Sequence, residues 1–163
     1  MKRERFQAHD GPIWRIAWAN PEWGNLLASC SYDKTIKIWS EENCKLTNKH
    51  TLNKYTCSVN WIEWAPPEYG IMLIAGLSSG DIGIIKFSPA DEQWIQTEFK
   101  AHESSINALS VWKYQHKLNK PTDSGLAESA KPSKLRFVSC SCDNQVYEWY
   151  LDNEEWKKNI GKQ

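Results

Sequence analysis

Serine, histidine and aspartate recur in one order at two places in the chain, and together they are the working parts of a serine hydrolase. The stretch SCSYDKTIKIW occupies residues 29–39 and lies downstream of His9, while SCSCDNQVYEW occupies residues 139–149 and lies downstream of His102. A serine nucleophile needs a histidine base and an acid that orients this base. The same side chains can instead hydrogen-bond to one another inside a β-sheet, so the sequence raises two hypotheses, catalysis and structural support.

Both stretches belong to a repeat that runs through the chain. IWRIAW at 13–18 matches VNWIEW at 59–64 with an offset of 46 residues, and FQAHDGPIWRIAW at 6–18 matches FKAHESSINALSV at 99–111 with an offset of 93. This last copy resumes as LRFVSCSCDNQVYEW at an offset of 110. Periods in the forties, with histidine near the start and tryptophan near the end, are typical of β-propeller blades.

Each copy contains segments in which apolar and polar residues alternate, as expected of β-strands. They predict strands at 13–18, 26–31, 34–39, 44–50, 59–64, 72–77, 82–87, 93–99, 106–111, 135–140, 145–149 and 155–160. Helical periodicity is absent. The predicted fold is all-β, a propeller of about three four-stranded blades that resembles the WD-repeat type. Its expected divisions are 1–9 (the outer strand of a preceding blade), 10–50, 51–101 and 102–163, with a loop insertion at 113–134.

Composition narrows the class of function. The 163 residues suit one modest domain, and the formal net charge of zero gives no general attraction to nucleic acid or to an acidic membrane. Five cysteines without a CxxC pair argue against a disulfide framework and for a reducing compartment. No stretch reads as a signal peptide or a membrane span. The ten tryptophans suggest large flat side chains at equivalent positions of a repeat.

The copies resemble WD-repeat blades, in which a histidine, a serine or threonine, an aspartate and a tryptophan form a hydrogen-bonded network. The resemblance implies two structural networks, listed by residue as His9, Ser29, Asp33 and Trp39, then His102, Ser139, Asp143 and Trp149. A buried imidazole, hydroxyl and indole N–H each need a partner, which favours structural support over catalysis. In the middle copy the corresponding positions hold Tyr55, Ala75, Ser79 and Ile85, so the whole set is missing.

Other candidate sites are weaker. Cys140 and Cys142 form a C-x-C pair, but no further cysteine or histidine lies at the short spacing that a metal site needs, so small strand residues are the expected interpretation. Three aromatic residues, Trp23, Tyr69 and Trp94, are candidates either for partner contacts or for loop packing. We therefore expect no catalytic residue, no metal and no cofactor.

Longer stretches resemble one propeller family in particular. HDGPIWRIAWANPEWG with LLASCSYDKTIKIWSEENCKL, SVNWIEWAPPEYGIMLIAGLSSGDIGIIKF, and RFVSCSCDNQVYEWYLDNEEW resemble blades two to four of the Sec-thirteen family. That family supplies the small propeller of the COPII outer coat and of the Y-shaped nuclear pore scaffold. The resemblance implies a six-blade type of ring, of which three blades are recognisable here, and a partner that donates a blade.

The sequence thus predicts a non-enzymatic scaffold that acts in ER-to-Golgi vesicle transport, in the nuclear pore, or in both. The resemblance implies an α-helical, rod-forming coat or pore protein as partner, contact with membranes only through the coat, and no direct contact with nucleic acid. Its implied location is the cytoplasmic side of ER and COPII vesicle membranes and the nuclear envelope. Missing blades or a partner would complete the ring. Two alternatives stay open: a propeller hydrolase that uses His9 and Ser29, and a WD-repeat adaptor that reads a peptide motif.

Overall fold

The computed structural model describes residues 5–112 and 134–159, which form three antiparallel sheets of four strands each. The first blade contains β1 to β4, Ile13–Trp18, Leu26–Ser31, Ile36–Glu42 and Lys45–Leu52. The middle blade contains β5 to β8, Val59–Trp64, Met72–Leu77, Asp81–Ser88 and Gln93–Lys100. The third blade contains β9 to β12, Ile106–Val111, Arg136–Ser141, Val146–Asp152 and Glu155–Asn159. In each blade the strands lie side by side in chain order.

The all-β prediction is confirmed, and most strands start within one residue of the predicted position. The largest shift is at β3, which begins at Ile36 rather than at 34 because Lys34 takes a left-handed turn conformation with φ of 71°. Apart from Lys134, the predicted insertion at 113–134 lies outside the described residues. Residues 5–12 form no strand, so the outer strand expected at 1–9, like the other predicted divisions, stays a prediction.

Two short 3-10 turns were not predicted. Both lie in the loop that joins the first two strands of a blade, at Pro21–Trp23 and Pro67–Tyr69. Each begins with a proline that presets φ and ends at a glycine with φ near 80°, whose N–H donates to the carbonyl of that proline. The repeated proline-x-aromatic-glycine pattern therefore encodes one loop conformation twice.

The blades stack face to face, which gives the molecule two cores. Between the first and middle blades lie fully buried aliphatic and small side chains, among them Ala28, Cys30, Ile38, Ile62 and Leu73. A second cluster, which includes Ile74, Ile82, Ile106 and Phe137, fills the space between the middle and third blades. Strand alternation produces this arrangement, because successive side chains of the middle blade face opposite neighbours. No helix among the described residues is long and apolar enough to cross a membrane.

Candidate functional site

The structure brings His9, Ser29, Asp33 and Trp39 together on one face of the first blade. His9 Nδ1 lies 2.9 Å from Asp33 Oδ2, and His9 Nε2 lies 2.7 Å from Ser29 Oγ. The Trp39 indole N–H donates to the same Ser29 Oγ at 2.8 Å. Because an indole can only donate and a carboxylate can only accept, the assignment that satisfies every group has a single direction. Ser29 O–H donates to Nε2, and the neutral imidazole donates its Nδ1–H to Asp33.

The third blade repeats this geometry. His102 Nδ1 lies 2.8 Å from Asp143 Oδ2, and its Nε2 lies 2.7 Å from Ser139 Oγ. The Trp149 indole N–H donates to Ser139 Oγ at 2.9 Å. Both sets of four residues are hereafter called the polar networks. Two copies with distances equal to within about 0.1 Å indicate that the local fold, rather than a unique site, creates them.

Two strands and the turn between them position the side chains of each network. In the first blade Ser29 lies on β2, and Trp39 lies on β3 diagonally across from it on the same face. Asp33 sits in the turn, where its backbone N–H donates to Ser31 Oγ and its Oδ1 accepts from the Thr35 backbone N–H. Such aspartate-centred turns fix the carboxylate before any long-range contact forms.

The networks extend to residues that the sequence analysis did not identify. Asp33 Oδ2 also accepts the backbone N–H of Asp10 at 2.9 Å, and its Oδ1 accepts the Thr35 hydroxyl at 2.6 Å. Asp143 accepts the corresponding backbone N–H groups of Glu103 and Gln145. The aspartate therefore ties the loop that carries the histidine to the turn between the second and third strands. The S-x-D spacing, present in both stretches, could have revealed the Ser31 cap.

Burial and hydrogen bonding set the charge states in the first network. Burial lowers the pKa of His9 below its ordinary value, against the opposing hydrogen bond to Asp33. For Asp33, burial acts to raise the pKa, but the hydrogen bonds from Thr35, the Asp10 backbone and His9 outweigh it and bring the pKa to about 2. The pKa of Asp143 is also lowered: hydrogen bonds led by that from His102 outweigh desolvation. A neutral histidine beside a carboxylate agrees with the hydrogen-bond direction given above.

The Ser–His and His–Asp distances also suit a catalytic triad, so distance alone does not decide between catalysis and structural support. The burial of the side chains decides between them. Both imidazole side chains have no exposed surface, and Ser29 and Ser139 are 3% and 1% exposed. Each serine oxygen also accepts an indole N–H, which would have to be disrupted before a substrate could approach. This arrangement offers no accessible nucleophile.

The middle blade places Tyr55, Ala75 and Ile85 where the network residues would be, and all three are buried. The Tyr55 ring lies on Gly83, where an added Cβ would come within 2.5 Å of the tyrosine oxygen. The Tyr55 side chain lies beside Gln96, and burial raises the pKa of its hydroxyl against the opposing side-chain hydrogen bond of Gln96.

Polar contacts between blades were also missed by the sequence analysis. The Trp64 indole N–H donates to the Ala17 carbonyl at 2.9 Å, and Arg15 donates to the Ile62 carbonyl at 3.1 Å. Arg15 also lies over the Trp61 ring, 3.8 Å from its centroid. These contacts join the innermost strands of the first and middle blades. Nothing in the repeat marks them, because arginine occurs at this position in the first copy alone.

A chain of small polar side chains continues this connection to the third blade. Trp14 Nε1–H donates to Ser58 Oγ at 3.0 Å, and Ser58 Oγ–H donates to Asn60 Oδ1 at 2.9 Å. The Asn60 amide in turn donates to Ser105 Oγ and to the Ile106 carbonyl. The three innermost strands are thus linked by one continuous hydrogen-bonded path.

The C-x-C pair divides in the structure: Cys140 lies half-buried on β10, whereas Cys142 is exposed in the turn that follows, so the expectation of small strand residues is wrong for Cys142. Cys30, the repeat equivalent of Cys140, is fully buried, and burial raises the pKa of its thiol to about 12. Within residues 5–112 and 134–159 no group of histidine, cysteine, aspartate or glutamate could hold a metal ion. Trp23 and Trp94 pack against the core between the first and middle blades, and Tyr69 packs against the other core. All three therefore pack against a core, Trp23 and Tyr69 from loops and Trp94 from strand β8.

Comparison with known proteins points to one family. A family model described as "WD domain, G-beta repeat" matches residues 2–40. "Protein SEC13 homolog" of Drosophila melanogaster is 33% identical over 153 residues, which cover 93% of this chain and 42% of the relative. Over most of its length the chain is thus similar to proteins of the Sec-thirteen family. Family members from fungi align over a similar extent: "Protein transport protein SEC13" of Coccidioides immitis is 33% identical over 93% of this chain, and "Protein transport protein sec13" of Aspergillus fumigatus is 31% identical over 98%.

The chain spans about half the length of the curated relatives it matches, between 42% and 53% for these three. This similarity agrees with the three four-stranded antiparallel blades and with the match to the WD-repeat model.

Proposed function

We propose that the chain is part of a non-enzymatic scaffold that works in protein transport through the COPII coat, in the nuclear pore, or in both. The observation that carries the proposal is similarity over at least 93% of this chain to relatives named as protein transport proteins. Stacked blades suit a mechanical role, since each sheet is locked to the next by buried side chains and by the path from Trp14 to Ser105.

In this proposal the polar networks are structural. Each ties the histidine-bearing loop, the inner sheet and the turn into one unit, and a buried group left unpaired would cost roughly 1–3 kcal/mol. The aspartate contributes most, because Asp33 accepts from His9, from Thr35 and from the backbone of Asp10. A rigid blade presents the same surface each time it meets a partner, which is what a scaffold requires.

The partner that we propose is an α-helical, rod-forming coat or pore protein, with contact to membranes only through the assembled coat. Apolar side chains support contact at both ends of the stack: Ile16 and Trp18 of the first blade are 60% and 58% exposed, and Val146 of the third is 68% exposed. Exposed apolar faces of this kind mark interaction surfaces. Further blades or a partner would cover them and complete the ring.

Localisation tests the proposed role. The full chain fused to a fluorescent protein, expressed in Drosophila cells depleted of their own relative, should concentrate at ER exit sites, at the nuclear rim, or at both. A matched fusion that carries Asp33→Ala and Asp143→Ala should lose this pattern, because its blades are loosened. Even distribution of the intact fusion through cytoplasm and nucleus would contradict the proposal.

The non-enzymatic part has a separate test. A fluorophosphonate probe forms a covalent bond with activated serine hydroxyls, so it should label neither Ser29 nor Ser139 in the folded chain. Intact-mass and peptide mass spectrometry would detect the adduct, with a known serine hydrolase as positive control. Labelling of either serine that is lost in the variant His9→Gln or His102→Gln would support the hydrolase instead.

A further inference from the structure

Exposed apolar side chains are concentrated on the two end faces of the blade stack. Six of the ten large ones that are exposed in the described part of the chain lie there. The outer face of the first blade, here called the first end, exposes Ile13, Ile16 and Trp18. The outer face of the third blade, here called the third end, exposes Trp112, Val138 and Val146. Apolar surface concentrated in this way marks a place where another polypeptide binds.

The repeat shows which surface the first end would fit. With an offset of 46 residues, its three apolar residues correspond to three residues of the middle blade, Val59, Ile62 and Trp64. In the middle blade all three are buried in the core that packs against the first blade. The first end therefore carries the apolar side chains with which a blade packs on the blade that precedes it.

The third end corresponds to the opposite side of that same interface. With offsets of 93 and 110 residues, its apolar residues correspond to Ala19, Ala28 and Ile36 of the first blade. These three are buried against the middle blade. The two ends of one chain thus carry the two complementary sides of a single kind of blade interface, and each presents the surface that the other would bury.

A cleft in the third end has the size and the position for a tryptophan side chain. Its volume is about 400 Å³, and its lining includes Ser110, Trp112, Arg136, Val138 and Glu148. At roughly 30 Å³ for each water-sized group, it has room for the ten non-hydrogen atoms of that side chain. The first-blade residues at the same repeat positions all contribute to the core that contains Trp64; they are Ala17, Ala19, Leu26, Ala28 and Ile38. Arg136 and Glu148 pair with each other at 3.4 Å, so covering the cleft leaves neither charge without a partner.

We propose that two copies of this chain close into one ring, with the first end of each copy packed on the third end of the other and Trp18 in the cleft. Two stacks of three blades give six blades, within the range of roughly four to eight at which propellers close. Three copies would give nine blades, which lies outside that range. The same head-to-tail contact then occurs twice about a twofold axis, so it closes a ring instead of growing into a filament.

The second copy is a source of the further blades that complete the ring, and the coat or pore role does not depend on this source. The chain spans between 42% and 53% of the three relatives compared above, so two copies together supply about as much chain as one relative. Blades of another protein are the alternative occupant of the two ends.

A hydrogen bond of the existing interface indicates one bond that the ring adds. The Trp64 indole N–H donates to the Ala17 carbonyl at 2.9 Å. At the same repeat positions, Trp18 of one copy should donate to the Ser110 carbonyl of the other. Because a buried indole N–H needs a partner, this bond allows the side chain to enter the cleft without leaving a donor unpaired.

Asn107 offers a second polar bond across the new interface. It occupies the repeat position of Asn60, whose amide donates to the Ile106 carbonyl of the next blade at 3.0 Å. Asn107 Oδ1 accepts from Cys142 Sγ within the third blade, which leaves its NH₂ group to donate. In the ring it should donate to the Ile13 carbonyl of the second copy. The hydrogen-bonded path of the innermost strands would then continue from one copy to the next.

The mass of the purified full chain tests the proposal. Sedimentation equilibrium between about 1 and 100 μM should show reversible conversion of single chains into pairs, without larger species. Trp18→Asp and Val138→Asp each place a carboxylate in one end, and each should weaken this dimerisation by at least about thirtyfold. The matched control Ile95→Asp changes an exposed isoleucine of the middle blade, away from both ends, and should dimerise like the unchanged chain.

A mixture of the two variants separates a head-to-tail ring from other contacts. Trp18→Asp keeps an intact third end and Val138→Asp keeps an intact first end, so an equimolar mixture should form more dimer than either variant alone. Contact between two first ends would instead leave Val138→Asp dimeric by itself. Circular dichroism should show the same β-sheet content in both variants as in the unchanged chain, because both side chains are exposed in the single chain.

Three results would each overturn the proposal. A chain that stays monomeric at about 100 μM would assign the two ends to another protein. Undiminished dimerisation of Trp18→Asp would place the contact elsewhere on the surface. A mixture that associates no more than its components would exclude the head-to-tail arrangement.

Discussion

The third and middle blades place a tyrosine ring in the same space by opposite routes. In the third blade Tyr147, which pairs with Ser139 across the sheet, stacks on His102 with ring centroids 4.6 Å apart. In the middle blade Gly83 occupies the position of Tyr147, and a tyrosine replaces the histidine in the loop. The third blade holds its tyrosine against a polar network, whereas the middle blade packs its tyrosine directly on the backbone of Gly83.

This difference shows that the four-strand blade does not need its polar network to form. The middle blade has the same strand order and closely similar strand lengths, with Leu73, Ile74 and Ala75 fully buried between two neighbours. It is covered on both faces, so hydrophobic burial holds it. In the first and third blades the network lies beside loops and turns, where fixing the chain costs most conformational entropy.

Removal of the Asp33 carboxylate should produce the largest loss of stability. Asp33→Ala removes the carboxylate that accepts from His9, from the Thr35 hydroxyl and from the Asp10 backbone, and leaves His9 Nδ1 only the Thr35 hydroxyl, 3.0 Å away. We expect the free energy of unfolding to fall by about 2–4 kcal/mol, measured by urea denaturation. The control is Ser79→Ala at the corresponding position of the middle blade, which should change the value by less than about 0.5 kcal/mol. Equal losses would mean that the network contributes nothing special to the first blade.

A methyl group at Gly83 should disturb the middle blade alone. The new Cβ would lie 2.5 Å from the Tyr55 oxygen and 3.1 Å from Cζ, so the ring must move. We expect Gly83→Ala to lower the free energy of unfolding by about 1–3 kcal/mol, as for other overpacked cores. The double variant with Tyr55→Phe should recover part of this loss in a double-mutant cycle, because the closest atom is gone. A strictly additive result would show that the ring does not rest on Gly83 in solution.

The first blade should lose stability at acidic pH, and the middle blade should lose stability at alkaline pH. The pKa of His9 is lower in the folded chain, so the unfolded chain takes up a proton first and stability falls as pH drops below about 6.5. The lowered pKa of Asp33, about 2, adds a second loss between about pH 4 and 2. The pKa of Tyr55 is raised by burial, so its contribution is lost as pH rises above about 10.

Melting temperatures across pH 3 to 11 test this pattern and give the smallest of the expected effects, about 1 kcal/mol per limb. Tyr55→Phe should remove the Tyr55 contribution at high pH and leave the acid limb unchanged. His9→Gln should remove the acid loss that begins near pH 6.5. If Tyr55→Phe altered the acid limb instead, the assignment of the two limbs to different blades would fail.

Much of the fold could be predicted from the sequence because the repeat is visible at fixed offsets. Strand positions and the all-β class follow from alternation, and the residues that the structure brings into the two networks follow from the resemblance to WD-repeat blades. The hydrogen-bonded path from Trp14 to Ser105 could not be predicted in this way. It joins residues from different copies, and although Ser58 and Asn60 recur as Ser105 and Asn107, the repeat does not show which copies bond to each other.

The contacts of Tyr55 were hidden for a related reason. Tyr55 was recognised only as a missing histidine, and nothing in one sequence shows that a loop tyrosine lies on Gly83 or beside Gln96. Such contacts depend on how far a loop reaches across a neighbouring strand, which spacing along the chain does not specify. The proline-x-aromatic-glycine pattern of the two loops is visible in the sequence. Their 3-10 turns depend on backbone angles that the residue types alone do not determine.

The free cysteines differ in exposure, so their reactivity can report the separation of two blades. Cys44 and Cys142 lie at the surface, whereas Cys30 is sealed between two blades with a thiol that stays protonated at any ordinary pH. With an alkylating reagent the exposed thiols should react first. Cys30 should react only when the first and middle blades separate. Its labelling rate would then time the separation of one pair of blades.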